Sequence, residues 1–186
     1  MERASDVLMR EHRGIERMLR ILEVAAARVE RGQSVPAAVF TRAVEFIRGF
    51  ADGCHHAKEE RTLFPVLEAR GIPQEGPIGV MLREHEEGRQ YVRAMAAVTD
   101  GYERGDPAAR QALVENARGY TTLLRQHIMK EDSVLFPMSD RVLSEEDQRQ
   151  LVERFEEIER EEVGEGVHER YHGTIEELER ELGLSG

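Results

Sequence analysis

The chain is expected to fold as an all-α protein: an up-down-up-down four-helix bundle over residues 1–140, with additional C-terminal helices over 141–186. Three observations predict this. Charged residues make up 34% of the 186 positions and aromatics only 5%, with no Trp and abundant Ala, Leu, Glu and Arg, a helical rather than a sheet composition. Apolar residues recur at helical spacing over long stretches. The chain is also an internal repeat. His55-x3-Glu59-x3-Leu63-Phe64-Pro65 returns as His127-x3-Glu131-x3-Leu135-Phe136-Pro137, and Arg10-Glu11-His12 returns as Arg83-Glu84-His85. His12 precedes His55 by 43 residues and His85 precedes His127 by 42, so each half is a helix with one His followed by a helix with His-x3-Glu.

The elements follow in order. Ser5 or Asp6 is the expected N-cap of a first helix running to about Arg31, with Leu8, Ile15, Met18, Leu19, Leu22, Ala26 and Val29 on one face and His12 on or beside it. Gly32-Gln33-Ser34 ends it, and Pro36 suits the first turn of a second helix carrying Phe40, Val44, Ile47 and Phe50 towards His55. Pro65 lacks an N–H, so a kink is expected there. The loop Gly71-Ile72-Pro73-Gln74-Glu75-Gly76 divides the halves. A third helix starts near Pro77 and carries Met81, Leu82, His85, Val92, Met95 and Val98. Gly105-Asp106-Pro107 reads as turn, N-cap and first helical residue of a fourth helix, which passes Leu113, Tyr120, Leu123, Leu124 and His127 to Pro137. Ser144-Glu145-Glu146-Asp147 opens a fifth helix with capping character. A break at Gly164-Glu165-Gly166 precedes a last helix, about His168 to Leu182.

The length suits one domain with a sizeable core. A net charge of −11 argues against nucleic acid or an anionic membrane as the main partner, since both need a basic face. Most of that charge is expected to be solvated surface. One cysteine, Cys54, permits no internal disulfide. The polar start and the lack of a long apolar run predict neither a signal peptide nor a membrane span, and a cytoplasmic setting is the expectation.

On a helix, residues i and i+4 share a face, so each His-x3-Glu presents an imidazole and a carboxylate together. In antiparallel helices His12, early in the first, lies at the same end as His55, late in the second; the same holds for His85 and His127. Four imidazoles and two carboxylates thus converge, an arrangement by which helix bundles hold metal ions. Imidazole suits iron, and a carboxylate can bridge two ions while neutralising charge. Structural zinc usually takes thiolate, and calcium or magnesium oxygen ligands alone. Two Fe ions are therefore expected, with manganese second. His56 and Glu60 have the same spacing as His55 and Glu59, but position 128 is Ile, so alignment on Leu-Phe-Pro selects His55 and Glu59 and leaves His56 at the rim or in support of a ligand.

This doubled pattern resembles the hemerythrin-like (HHE cation-binding) family over about residues 5–138. The resemblance implies a four-helix bundle with a non-haem di-iron centre and an oxo or hydroxo bridge. It implies His12, His55, Glu59, His85, His127 and Glu131 as ligands, with the two Glu as bridges. Oxygen-carrying hemerythrins have a second His four residues after the third-helix His, where this chain has Arg89. They also bridge through an Asp at the spacing of Asp132, although Glu131 matches the repeat better. The chain is more similar to the wider bacterial family, tied to oxygen or iron sensing, iron handling and repair of nitrosative damage.

His168 and His172 are also four apart. Either one completes the second iron, with His172 preferred, or both are exposed on an amphipathic helix. Glu16, Glu11 and Glu84 read as surface residues, with contact to the ligand histidines as the alternative. Tyr91, Tyr120 and Tyr171 could offer hydroxyls to a bound oxygen species, but core packing with a satisfied hydroxyl is the more common fate of such residues. Cys54 reads as a small buried hydrophobe. The leading functional expectation is a di-iron protein that binds or reduces dioxygen, peroxide or nitric oxide, or handles iron. The alternative is a sensor or interaction module without turnover, and the third reading is a bundle whose His and Glu are only packing and surface.

Overall fold

The computed structural model describes residues 2–163 and 167–184, and the side chains of 162, 163, 167 and 168 lie outside that description, as does the expected break at 164–166. Helices joined by short turns make up the described residues, with no strand among them. The first helix, α1 (Ala4–Glu30), starts two or three residues earlier than expected: its N-cap is Arg3, whose backbone N–H donates to Asp6 Oδ2 at 3.1 Å, so Asp6 sits in the first turn and serves the cap from there. The left-handed Gly32 (φ 81°) ends it. The second run begins as α2 (Ala37–Phe46) and remains helical, by way of wide-turned segments at Ile47–His56 and Glu59–Leu63, into α3 (Phe64–Ala69). A short wide turn, Gln74–Ile78, leads into α4 (Gly79–Glu103). Next, α5 (Pro107–Lys130) has Asp106 as N-cap, accepting from the Ala108 N–H at 2.9 Å. It continues through a wide turn at Glu131–Leu135 into α6 (Phe136–Val142). The tail holds α7 (Glu145–Ile158), its extension Glu159–Val163, and α8 (Val167–Glu181). Ser144 Oγ accepts from the Asp147 N–H and the Asp147 carboxylate accepts from the Ser144 N–H, a reciprocal cap.

The wide segments are π-helical, with i→i+5 bonding, a device concentrated at functional sites. Their placement repeats the sequence. Glu59 opens one five-residue segment and Glu131 the other, each followed by Phe-Pro. An α-helix would press the Pro65 ring against the carbonyl of Arg61 and leave that carbonyl without a donor. The wider turn accommodates the proline where the sequence predicts a kink, and Leu63 and Phe64 keep helical backbone angles.

Helix α1 packs on α5, α5 on α4, α4 on α2, and α2 on α1. The interior has three layers. One apolar cluster contains Ile15, Phe46, Ala51, Val92, Leu124 and Ile128. A second contains Leu8, Leu63, Phe64, Met81, Leu135 and Phe136. Between them, on the same four helical runs, lie the buried polar residues Glu11, His12, His55, Glu59, His85, His127 and Glu131. The apolar walls exclude water from this middle layer, so each polar group in it needs a partner.

The tail joins both clusters: Leu151 and Phe155 of α7 enter the second, and Ile175 and Leu178 of α8 the first. Tyr171 packs so closely on Gly49 that a Cβ there would stand 1.7 Å from its hydroxyl. No helix among the described residues is long and apolar enough to cross a membrane.

Candidate metal centre

Four histidines stand in two pairs. His12 and His55 face each other with Nε2 atoms 3.0 Å apart, and His85 and His127 do so at 3.1 Å. Two imidazole nitrogens at that distance need a shared proton or a cation between or beside them. Each ring is fixed from behind. His12 Nδ1 lies 2.7 Å from Asp132, His55 Nδ1 2.8 Å from Glu11, His85 Nδ1 2.7 Å from Glu60, and His127 Nδ1 2.9 Å from Glu84. A carboxylate at Nδ1 holds the proton there and turns the Nε2 lone pair inward, the tautomer that a metal ligand requires.

The two central carboxylates span the pairs. Glu59 Oε1 lies 3.5 Å from His55 Nε2 and its Oε2 lies 3.4 Å from His85 Nε2. Glu131 Oε2 lies 3.2 Å from His12 Nε2 and its Oε1 lies 3.3 Å from His127 Nε2. Each carboxylate therefore offers one oxygen to each histidine pair, joining an imidazole of its own helical run to one from the other half. Both side chains are fully buried, and none of their four oxygens has a hydrogen-bond partner. Buried carboxylate oxygens without hydrogen bonds are costly. A donor set of imidazole nitrogens and orphaned carboxylate oxygens fits transition-metal cations.

Among the described residues, two groups could each hold an ion: His12, His55, Glu59 and Glu131, and His56, Glu59, His85 and His127. His56, expected at the rim, belongs to the second. It is 5% exposed, stacks on His85 with ring centroids 3.9 Å apart, and has Nδ1 3.3 Å from Asp52. The signal for it in the sequence is the His55-His56 doublet, which has no counterpart in the second half because position 128 is Ile. Arg89 donates to Asp52 and to Glu60, so it braces the partners of His56 and His85. Glu11, expected at the surface, is buried against His55, and Glu84 plays the same part for His127. Their signal was their repeated place directly before His12 and His85. Of the tail histidines, His172 is exposed on α8 and belongs to neither group, and the His168 side chain lies outside the described residues. Cys54 is fully buried, and burial pushes its thiol up to about 12, which leaves it unreactive.

The electrostatics agree with a site built for cations. Burial opposes the charge on His12, but the hydrogen bond to Asp132 and the nearby Glu131 carboxylate outweigh it and hold the imidazolium at about 9. His127 is raised to about 10 in the same way, against burial and chiefly by the charge of Glu131. Glu131 is held well below the carboxylate range, despite burial, by His127 and His12. His56 is driven well below its ordinary value by burial and by the charge of His85. Protons on His12 and His127 thus supply, in the metal-free chain, the positive charge that metal would supply.

A pH dependence follows. Groups raised from 6.5 to about 9 and about 10 contribute stability that is complete below pH 6.5 and is lost as pH rises through 9 to 10. Metal-free protein is expected to lose stability to urea across that window. Metal-loaded protein, whose imidazoles are already deprotonated, is expected to lose much less. Equal losses in the two forms would contradict the placement of these rings.

Comparison with known proteins agrees with this geometry. Residues 3–139 match the family described as the Hemerythrin HHE cation binding domain. Two mycobacterial proteins, Rv1995 of Mycobacterium tuberculosis and Mb2018 of Mycobacterium bovis, both named as uncharacterized, are 29% identical over 181 residues, covering 97% of this chain and 71% of theirs. The iron-sulfur cluster repair protein YtfE of Musicola paradisiaca is 36% identical over 86 residues, 45% of this chain and 39% of that protein. No solved structure matches the chain significantly. The chain belongs to the hemerythrin HHE cation-binding domain family.

Proposed function

We propose that the chain is a four-helix-bundle, non-haem di-iron protein that handles or senses a small oxidant, with His12, His55, Glu59, His85, His127 and Glu131 holding the ions and His56 joining the His85 side. The observation that carries this is the arrangement of Glu59 and Glu131: buried, without hydrogen-bond partners, and each turned with one oxygen towards each histidine pair. Iron, when bound, would supply redox chemistry and an open coordination position for a small ligand. The name of the relative YtfE supports iron over other cations.

The chain's own part is to position and to exclude water. Phe136 stacks on His12 and Phe64 on His85, closing the apolar side. A cavity of about 130 Å³ reaches His56 and His85, with Ile47, Gly88, Val92 and Tyr120 among its lining. The Tyr120 hydroxyl is buried there without a partner, placed to donate to a small oxygen or nitrogen ligand. Arg48 and Arg93 also line it and are exposed, so a polar ligand meets positive charge before the apolar interior.

A second reading, a sensor without turnover, is favoured by the contact of the ligand-supporting Lys58 with the tail at Glu159. One experiment separates the two: iron-loaded protein is mixed with hydrogen peroxide, dioxygen or nitric oxide while absorption and oxidant consumption are followed. A change in the iron absorption is expected. Sustained consumption assigns an enzyme, and a reversible change without consumption assigns a sensor. A chain that takes up no iron, or whose iron absorption none of the three alters, contradicts the proposal.

A further inference from the structure

The internal repeat extends beyond the ligands. In each half, the residue three after the ligand His is a Lys, and it donates to the Glu that holds that His: Lys58 to Glu11 behind His55, and Lys130 to Glu84 behind His127. Two copies of one Lys–Glu–His chain thus stand behind the two halves of the site. Their surroundings differ. The Lys130 side chain is 35% exposed and its Glu84 is 17% exposed. The Lys58 side chain is 0% exposed and Glu11 6%. The covering comes from the tail: Lys58 Nζ lies 6.0 Å from the Phe155 ring of α7, and it also donates to Glu159 Oε2 at 3.2 Å, at the start of the segment that follows α7. Phe155 and Glu159 lie outside the residues that match the family.

We propose that the C-terminal extension is a working part of the metal centre, with Glu159 as a positioning residue that holds Lys58 over Glu11 and makes the His12/His55 side the slower of the two to exchange its ion. This rests on the di-iron reading above. The physical argument has two parts. Glu159 fixes the buried ammonium in one place, so Glu11 is held by two donors and keeps the His55 ring aimed inward; ring orientation set by such partners governs metal retention. The tail also keeps water from the Lys58–Glu11 pair, and a buried charge pair is screened less than an exposed one. The opposite side has neither advantage: its Lys–Glu pair meets solvent, and the cavity opens beside His56 and His85.

The test is iron release. Full-length, iron-loaded, reduced protein is mixed with the ferrous chelator ferrozine, and the coloured complex is followed with time. Wild-type protein is expected to release iron in two phases of equal amplitude. Glu159→Gln is expected to speed the slow phase several-fold, short of the roughly 10–100-fold typical when a direct partner of a ligating His is removed, and to leave the fast phase unchanged. Lys130→Met is expected to do the reverse. Glu159→Asp should restore part of the slow phase, which a role in packing alone would not produce. Glu159 is partly exposed, so its substitution leaves the fold intact. A single release phase, or equal acceleration of both phases by Glu159→Gln, overturns the inference while leaving the di-iron reading in place. A wild-type chain that holds no iron overturns both.

Discussion

Replacing Glu59 and Glu131 together by Ala is expected to leave the chain unable to retain either ion. Among the described residues, both groups that could hold an ion contain at least one of these carboxylates, and the first contains both. The effect on stability has an instructive sign. In metal-free protein the four oxygens are buried without hydrogen-bond partners. Their removal therefore takes away a desolvation cost, set against the cavity left behind and the lost attraction to protonated His12 and His127. What the variant loses is the metal's own contribution, about 4 kcal/mol at a free ion concentration 1,000 times the dissociation constant. Thermal melting with and without iron checks this: wild type should shift, and the double variant should not. The single variants are more discriminating. Because each carboxylate faces both histidine pairs, Glu59→Ala alone should weaken both ions. Loss of only one ion, with the other held as tightly as in wild type, would contradict the bridging arrangement.

Lys58→Met is expected to be the most damaging single change outside the ligands. The ammonium is fully buried between Glu11 and Glu159, and the pair lowers the Glu11 carboxyl to about 2, against burial and chiefly through His55 and Lys58. Removing the lysine leaves Glu11 charged, 6% exposed and supported by His55 alone. Breaking a buried pair from one side costs about 3–5 kcal/mol. Lys130→Met, at the matching place in the repeat, breaks a half-open pair and should cost under about 1 kcal/mol. Urea unfolding of the two metal-free variants measures the difference. Equal costs would mean that the tail does not bury Lys58 in solution.

Much of this could be read in the chain because the repeat and the periodicity are physical constraints. The apolar faces of α1, α4 and α5, the caps at Asp106 and Ser144, and the convergence of His12, His55, His85 and His127 with two Glu all follow from spacing. Other features were hidden for specific reasons. Glu11 and Glu84 read as surface charges or as contacts of the histidines, and Asp132 and Glu60 sit at spacings that suggest other roles; only the packing shows that all four meet an Nδ1. A π turn differs from an α turn by one hydrogen-bond register, which apolar periodicity does not resolve. The cap at Arg3 was missed because the carboxylate that serves it, Asp6, looks like a cap itself. The repeat alone does not fix the place of His56: the two halves share their His-x3-Glu frame, but Ile128 offers no counterpart to the imidazole that stacks on His85.

The measurement that tests the central claim most directly is X-ray diffraction from iron-loaded crystals, recorded on both sides of the iron absorption edge. Two anomalous peaks per chain are expected, one beside His12 and His55 and one beside His85 and His127, with Glu59 and Glu131 each touching both. A single peak, or none, with the two carboxylates hydrogen-bonded to water instead, would contradict the account.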